Sequence, residues 1–199
     1  MPKLYDDRYF HRWYRDPHTR VTSDRALDRK VHLALGVAEY MLGRRARTVL
    51  DVGCGEGRWA VALRRARRGI EYTGVESSEY AVETFGKRRN VRHGSFGTLR
   101  SLGLQGPFDL ILCADVLQYV PTVDVRAGLK EIRKLLGGVA YIEAYSSEDD
   151  MEGDMDGWIH RSASSLRREF KKAGLTHCGL YCFIDVDKIA AVNALEVCT

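Results

Sequence analysis

No stretch of this 199-residue chain approaches the roughly 20 consecutive apolar residues that a membrane-spanning helix needs. The opening run Met1-Pro2-Lys3-Leu4-Tyr5-Asp6-Asp7-Arg8 is charged and no apolar segment follows it, so no secretory leader is expected. Cysteine is sparse and odd in number: Cys54, Cys113, Cys178, Cys182 and Cys198 form no CxxC and no Cys/His pattern with zinc spacing. That argues against a disulfide scaffold or a metal site. It favours reduced, mostly buried thiols in a cytoplasmic protein. Charge of one sign is also lacking. The net charge of +4 is mild, and the basic runs Arg64-Arg65-Ala66-Arg67-Arg68 and Lys87-Arg88-Arg89 fit solvated helix faces, so a nucleic-acid partner is not expected. Repeats and low-complexity linkers are absent. With 45% hydrophobic and 29% charged residues, the disordered and fibrous classes drop out.

What is present is an alternation of strands and helices. Apolar runs at Thr48–Val52, Glu71–Val75, Val91–His93, Phe108–Cys113 and Val139–Tyr145 predict strands. Helical patterns at about 58–68, 79–87, 123–136 and 164–173 lie between or after them. The Gly137-Gly138 pair reads as a connection. Two late strands, at about 176–184 and 191–198, follow one another without a helix and predict an antiparallel hairpin at one edge. The pattern gives an α/β class: a doubly wound, seven-stranded, mostly parallel sheet with an antiparallel edge strand. Ahead of it, residues 1–45 read as a helical N-terminal arm. Thr22 or Ser23 caps a helix that carries Leu27, Val31, Leu35, Ala38 and Leu42 at helical spacing and stops at Gly43. Residues 46–199 read as one Rossmann-like unit.

The informative run is Asp51-Val52-Gly53-Cys54-Gly55-Glu56-Gly57-Arg58, in which a strand enters a glycine-rich turn that opens a helix. Glycines let the backbone approach a ligand closely, and the helix start adds oriented amides. The ligand is expected across the carboxyl ends of the strands. The spacing is G-x-G-x-G, with Arg58 where a dinucleotide fold has its last glycine, and no Walker Lys-Ser/Thr follows. Asp51, facing the loop, would repel a diphosphate and suit a cationic ligand.

This run resembles motif I of class I S-adenosylmethionine-dependent methyltransferases of the small-molecule type. Further segments resemble that family in order and spacing across roughly residues 47–184. Glu76, ending the second strand some twenty residues on, matches the acid that binds the ribose hydroxyls, with Ser77 beside it. Arg92-His93-Gly94-Ser95-Phe96 is similar to the third segment; Ser95 stands where the family places an Asp against the adenine amine, and the Phe96 amide can still reach the ring. Ala114 and Asp115, at the end of the fourth strand, match the segment lining the methyl donor. Leu135–Ile142 resembles the start of the fifth strand.

The resemblance implies a cofactor, S-adenosylmethionine, with S-adenosylhomocysteine as product. It implies a cofactor site built from Asp51, Gly53, Cys54, Gly55, Gly57, Glu76, Ser77, Ser95, Phe96, Ala114 and Asp115, with Tyr14 of the arm folding over it. No metal is implied. Arg12 and Arg15 are candidates for the methionine carboxylate. The arm aromatics Tyr5, Tyr9, Trp13 and Tyr14 read equally as a lid or as a staple to the domain.

The acceptor side rests on the acidic segment from Glu148 to Asp156, followed by Trp158 and His160. It reads as a solvated loop or as a lid favouring an amine or cationic acceptor. A calcium-loop reading of Glu152, Asp154, Asp156 and Gly157 fails at its twelfth position, Ala163. His160 and Asp115 are the candidate catalytic residues. His160 can act as general base or simply begin a helix, and Asp115 can act as base or cap the next helix. The expected activity is methylation of O, N or C of a small acceptor by a monomer or homodimer. RNA or protein methylation is an alternative, although no Asn/Asp-Pro-Pro-Tyr follows the fourth strand. A non-catalytic cofactor-binding regulator is another.

Overall fold

The glycine loop and the strand ends around it are positioned by a seven-stranded sheet of order β3-β2-β1-β4-β5-β7-β6 in the computed structural model, which describes residues 3–151, 153–189 and 192–198. The strands are β1 Thr48–Val52, β2 Glu71–Glu76, β3 Val91–His93, β4 Phe108–Ala114, β5 Leu136–Glu143, β6 Thr176–His177 and β7 Cys182–Ile184. Pairings from β3 through β5 are all parallel, whereas β7 runs antiparallel to both β5 and β6. The long helices are α2 Asp24–Leu42, α3 Arg58–Ala66, α4 Glu79–Arg89, α5 Thr122–Leu135 and α6 Ala163–Lys172. Short α1, Asp7–Phe10, runs into a π-helical turn at His11–Arg15.

Two buried layers cover the faces of the sheet. One gathers Val31, Leu35, Val49, Leu63, Leu110 and Tyr141, so α2 and α3 share it. The other gathers Leu50, Val75, Phe96, Ile111, Leu129 and Phe170, under α5 and α6. Alternate residues of β1 and β4 supply opposite layers, as a pleated strand buried on both faces requires. Helix α2 thus belongs to the core of the sheet. Within the predicted arm 1–45, the residues before α2 place Tyr9, Trp13 and Tyr14 at the strand ends, and α2 adds Leu27 and Lys30 there. Ser23 caps α2 by accepting from the Ala26 amide at 3.2 Å, and Gly43 ends it in the left-handed region.

Two expectations change. The hairpin lies wholly inside 176–184: β6 and β7 are joined through Gly179, Leu180 and Tyr181, all at positive φ. No strand forms over the described part of 191–198; Ala194–Glu196 is a 3-10 turn, and the Cys198 amide donates to the His177 carbonyl at 2.7 Å. Ala191 lies outside the described residues. The second change is that Gly137-Gly138 is strand, since α5 passes directly into β5. A Cβ at Gly138 would meet the Asp109 carbonyl oxygen at 2.3 Å, so glycine there serves close packing beside an irregularity in β4.

Candidate active site

The sheet order reverses between β1 and β4, and a crevice opens at their carboxyl ends. The loop after β1 crosses it. The Gly53 and Cys54 amides both donate to the Val75 carbonyl, at 2.8 and 3.1 Å, which ties the loop to β2. Gly53 and Gly55 have φ of +73° and +55°. A Cβ at Gly53 would lie 2.4 Å from Val116, and one at Gly55 would lie 2.8 Å from the Tyr14 hydroxyl. Both sites are therefore closed to other residues by conformation and by space. Gly57 precedes α3 and contacts Arg89 instead.

Two cavities meet at this loop. The larger, about 240 Å³, is lined by Glu76, Ser77, Ser95, Phe96 and Val116 among others. The smaller, about 90 Å³, is lined by Asp51, Cys54, Ala114, Glu143 and Tyr145 among others. Tyr9, Tyr14, Gly53, Asp115 and Tyr119 border both. Of the residues named from sequence, Asp51, Gly53, Cys54, Glu76, Ser77, Ser95, Phe96, Ala114, Asp115 and Tyr14 thus come together around one crevice.

Glu76 is buried and heavily bonded. Its Oε1 accepts the Ser77 and Ser78 amides at 2.8 and 2.9 Å, and its Oε2 accepts the Gly55 amide at 2.7 Å. Oε2, with that single bond, retains acceptor capacity, and Glu76 lines the larger cavity, an arrangement that suits donated hydroxyls. Asp51 is also buried and accepts from the Tyr72 phenol at 2.7 Å. Burial pushes its carboxyl up to about 7 against the opposing effect of that bond, with Glu76 raising it further. Asp115 sits at φ +62°, rare for a residue with a side chain, and accepts from the Gln118 amide. Burial first, then Glu143, pushes it up to about 6. It caps nothing: neither the 3-10 turn Leu117–Tyr119 nor α5 has a side-chain cap. The Cys54 thiol is pushed well above its ordinary value by burial, and Cys113 is buried in the core under α5 and α6.

His160 does not join the group. It is exposed and lines neither cavity, because its neighbours take the inward positions. Trp158 packs edge-on to Tyr119, and Arg161 is buried with its guanidinium donating to the Leu117 and Val120 carbonyls. The arm arginines are engaged elsewhere. Arg15 pairs with Asp7 at 2.6 Å and Glu56 at 3.3 Å, and Arg12 lies over the Trp13 ring. Arg58 lines the smaller cavity, but its guanidinium donates to the Thr22 carbonyl at 3.0 Å and to Asp24 at 2.8 Å. Glu152 lies outside the described residues.

Sequence reading missed Lys30, Glu143 and Tyr145. Glu143 receives Lys30 at 2.6 and 2.8 Å and the hydroxyls of Tyr141 and Tyr145. A signal existed: Glu143 ends β5 opposite Ala114, the same strand-end position that marked Glu76. Lys30 carried none, because its role depends on α2 crossing β5.

The arm lies over the crevice. The Ser78 hydroxyl donates to the Tyr5 carbonyl at 2.6 Å, and the Tyr80 hydroxyl to Asp7 at the same distance. Phe10 is buried and stacks on Tyr80.

Residues 22–178 match the family model described as "Methyltransferase domain". Among curated proteins, the chain is 34% identical over 121 residues to a release factor glutamine methyltransferase of Geobacter sulfurreducens, covering 58% of this chain and 37% of that one. It is 32% identical over 91 residues to a ubiquinone biosynthesis O-methyltransferase of Alkalilimnicola ehrlichii, covering 43% and 36%. These matches span little more than a third of either relative. The crystal structure of Streptomyces venezuelae DesVI superposes with a TM-score of 0.62 at 16% identity, over 80% of this chain and 91% of that one, which is a likeness of fold.

Proposed function

This chain belongs to the methyltransferase-domain family, of the class I S-adenosylmethionine-dependent type, and we propose that it methylates an O, N or C atom of a small-molecule acceptor. The observation that carries the reading is the meeting of two cavities at Gly53 and Asp115, one bordered by Glu76 and the other by Asp51 and Glu143. The residues fit the cofactor: Glu76 and Ser77 would hold the ribose hydroxyls, Ser95 and Phe96 the adenine, and Asp51 with the Gly53 loop the cationic amino end. When bound, the cofactor supplies an electrophilic methyl on a sulfonium, so the protein's task is alignment and exclusion of water.

Asp115 stands where both cavities meet. With its pKa at about 6 it is suited to accept a proton from an acceptor that must lose one. Gln118 fixes its carboxylate. Tyr9 and Tyr14 of the arm border both cavities and restrict the acceptor side, which favours a small acceptor over a polymer. One relative's name keeps a protein acceptor as the second reading. The strand end here, Ala114-Asp115-Val116-Leu117, lacks the Pro-Pro-Tyr segment of the amino-group methylases of adenine or glutamine.

Calorimetric titration of S-adenosylmethionine and S-adenosylhomocysteine into wild type and Glu76→Ala tests the donor site. Losing charge-assisted bonds to two hydroxyls should weaken binding about tenfold or more. Absence of binding to wild type, or equal binding to the variant, contradicts the reading. A screen of small acceptors against a peptide and RNA panel then decides the acceptor class.

A further inference from the structure

Lys3 occupies a place that its position in the arm does not require. Its side chain is only 14% exposed. The ammonium nitrogen lies 4.1 Å from the centroid of the Tyr119 ring, 5.4 Å from that of Tyr9 and 5.5 Å from that of Tyr5. It pairs with the carboxylate of Asp154, itself 10% exposed, and donates to the Asp156 carbonyl at 2.8 Å. The Tyr119 hydroxyl donates to the Asp154 carbonyl at 2.6 Å, locking the ring to the loop that carries the acid. Three aromatic faces and a buried carboxylate around one nitrogen make an ammonium cage.

The cage opens onto the crevice. Tyr9 and Tyr119 border both cavities, and Asp154 borders the smaller one beside Asp115. The charges facing it are predominantly negative: Asp154, Glu76 and Asp156 all act on Tyr5. The one cation nearby on the smaller cavity's α2 wall, Lys30, is spent on Glu143. An uncharged occupant would leave Asp154 buried without a partner, a costly state. Exchange of one ammonium for another leaves the charge balance intact.

We propose that this cage is the cation subsite for the acceptor, a small molecule bearing a protonated or quaternary alkylammonium group, and that Lys3 fills it as an internal surrogate until the acceptor displaces it. The proposal rests on the methyl-transfer reading above and specifies its acceptor. The caged nitrogen has no lone pair and is not the methylated atom. It anchors the acceptor so that a different O, N or C atom reaches the junction at Asp115.

The probe is tetramethylammonium, which offers charge and no donors, compared with a neutral tert-butyl analogue of similar bulk, 3,3-dimethylbutan-1-ol. NMR titrations are run on wild type, Lys3→Met, Lys3→Met/Tyr119→Leu and Lys3→Met/Asp154→Asn. Removing the internal competitor should tighten tetramethylammonium binding about tenfold, with no comparable gain for the neutral analogue. Either second substitution should abolish the gain. Equal binding to wild type and Lys3→Met, a matching gain for the neutral analogue, or a gain that survives both double variants overturns the proposal. Each sample is also titrated with S-adenosylhomocysteine. Intact cofactor binding without a cation gain refutes the cage alone, whereas absent cofactor binding in wild type refutes the methyl-transfer reading.

Discussion

Asp51 sits at the end of a strand buried on both faces, with an ordinary carboxyl value of 3.8 raised to about 7, mainly by burial. The folded chain therefore keeps this proton up to about pH 7, while the unfolded chain loses it near pH 4. Between those values the folded state binds more protons, so this group lowers stability as pH rises through the window and changes nothing above it. Asp115, raised to about 6, acts in the same direction over a narrower range. Asp51→Asn should flatten most of the decline, read by urea unfolding at pH 5 and pH 8. An unchanged difference between those pH values would show that Asp51 is ionised in the fold. A cationic ligand reverses the effect: it draws the carboxylate into its charged form. S-adenosylmethionine affinity should accordingly rise from pH 5.5 to 7.5 with proton release, less so in Asp51→Asn. Asp51 and Glu76 were legible as strand-end acids beside a glycine turn. Their protonation was not, because it follows from how much chain closes over them.

At the scale of elements, two glycines in helices make opposite cases. Gly36 on α2 is exposed, with open space where a Cβ would project, so Gly36→Ala should stabilise by about 0.5–1 kcal/mol through helix propensity alone. Gly128 on α5 faces the 3-10 turn Phe96–Leu102. A Cβ there would lie 2.2 Å from the Phe96 ring and 2.5 Å from its carbonyl oxygen. Gly128→Ala should cost about 1–3 kcal/mol from overpacking despite the same propensity gain. It should also weaken cofactor binding, because Phe96 borders the larger cavity. Thermal melts and calorimetry on both variants check the pair; stabilisation by both would mean that the α5 contact yields. Periodicity located most of the elements, since buried strands and amphipathic helices differ in repeat. It overextended the last strands, where short runs such as Thr176–His177 leave too few residues for a period to register.

For the whole molecule, the division that matters is between a body with two covered sheet faces and the arm across its strand ends. The arm is held by hydrogen bonds to Ser78 and Tyr80, by the stacked Phe10 and by the caged Lys3, not by strand pairing. Such a segment opens more readily than the core. Amide exchange over residues 5–15 should be faster than in β1, β4 and β5, and should slow when S-adenosylhomocysteine binds beneath Tyr9 and Tyr14. Unaltered arm exchange on binding would separate the arm from the cofactor site.

Local chemistry was enough to set the class, the positions along the chain of the first five strands and the glycine turn with its two flanking acids. Strand periodicity, glycine spacing and strand-end acids are properties of contiguous residues. The pairing of Lys30 with Glu143, the outward position of His160, the inward one of Arg161 and the cage around Lys3 join residues up to 153 positions apart. Only the packed fold brings such groups to one place, because burial and partner choice are set by the elements that surround a side chain and not by its neighbours along the chain.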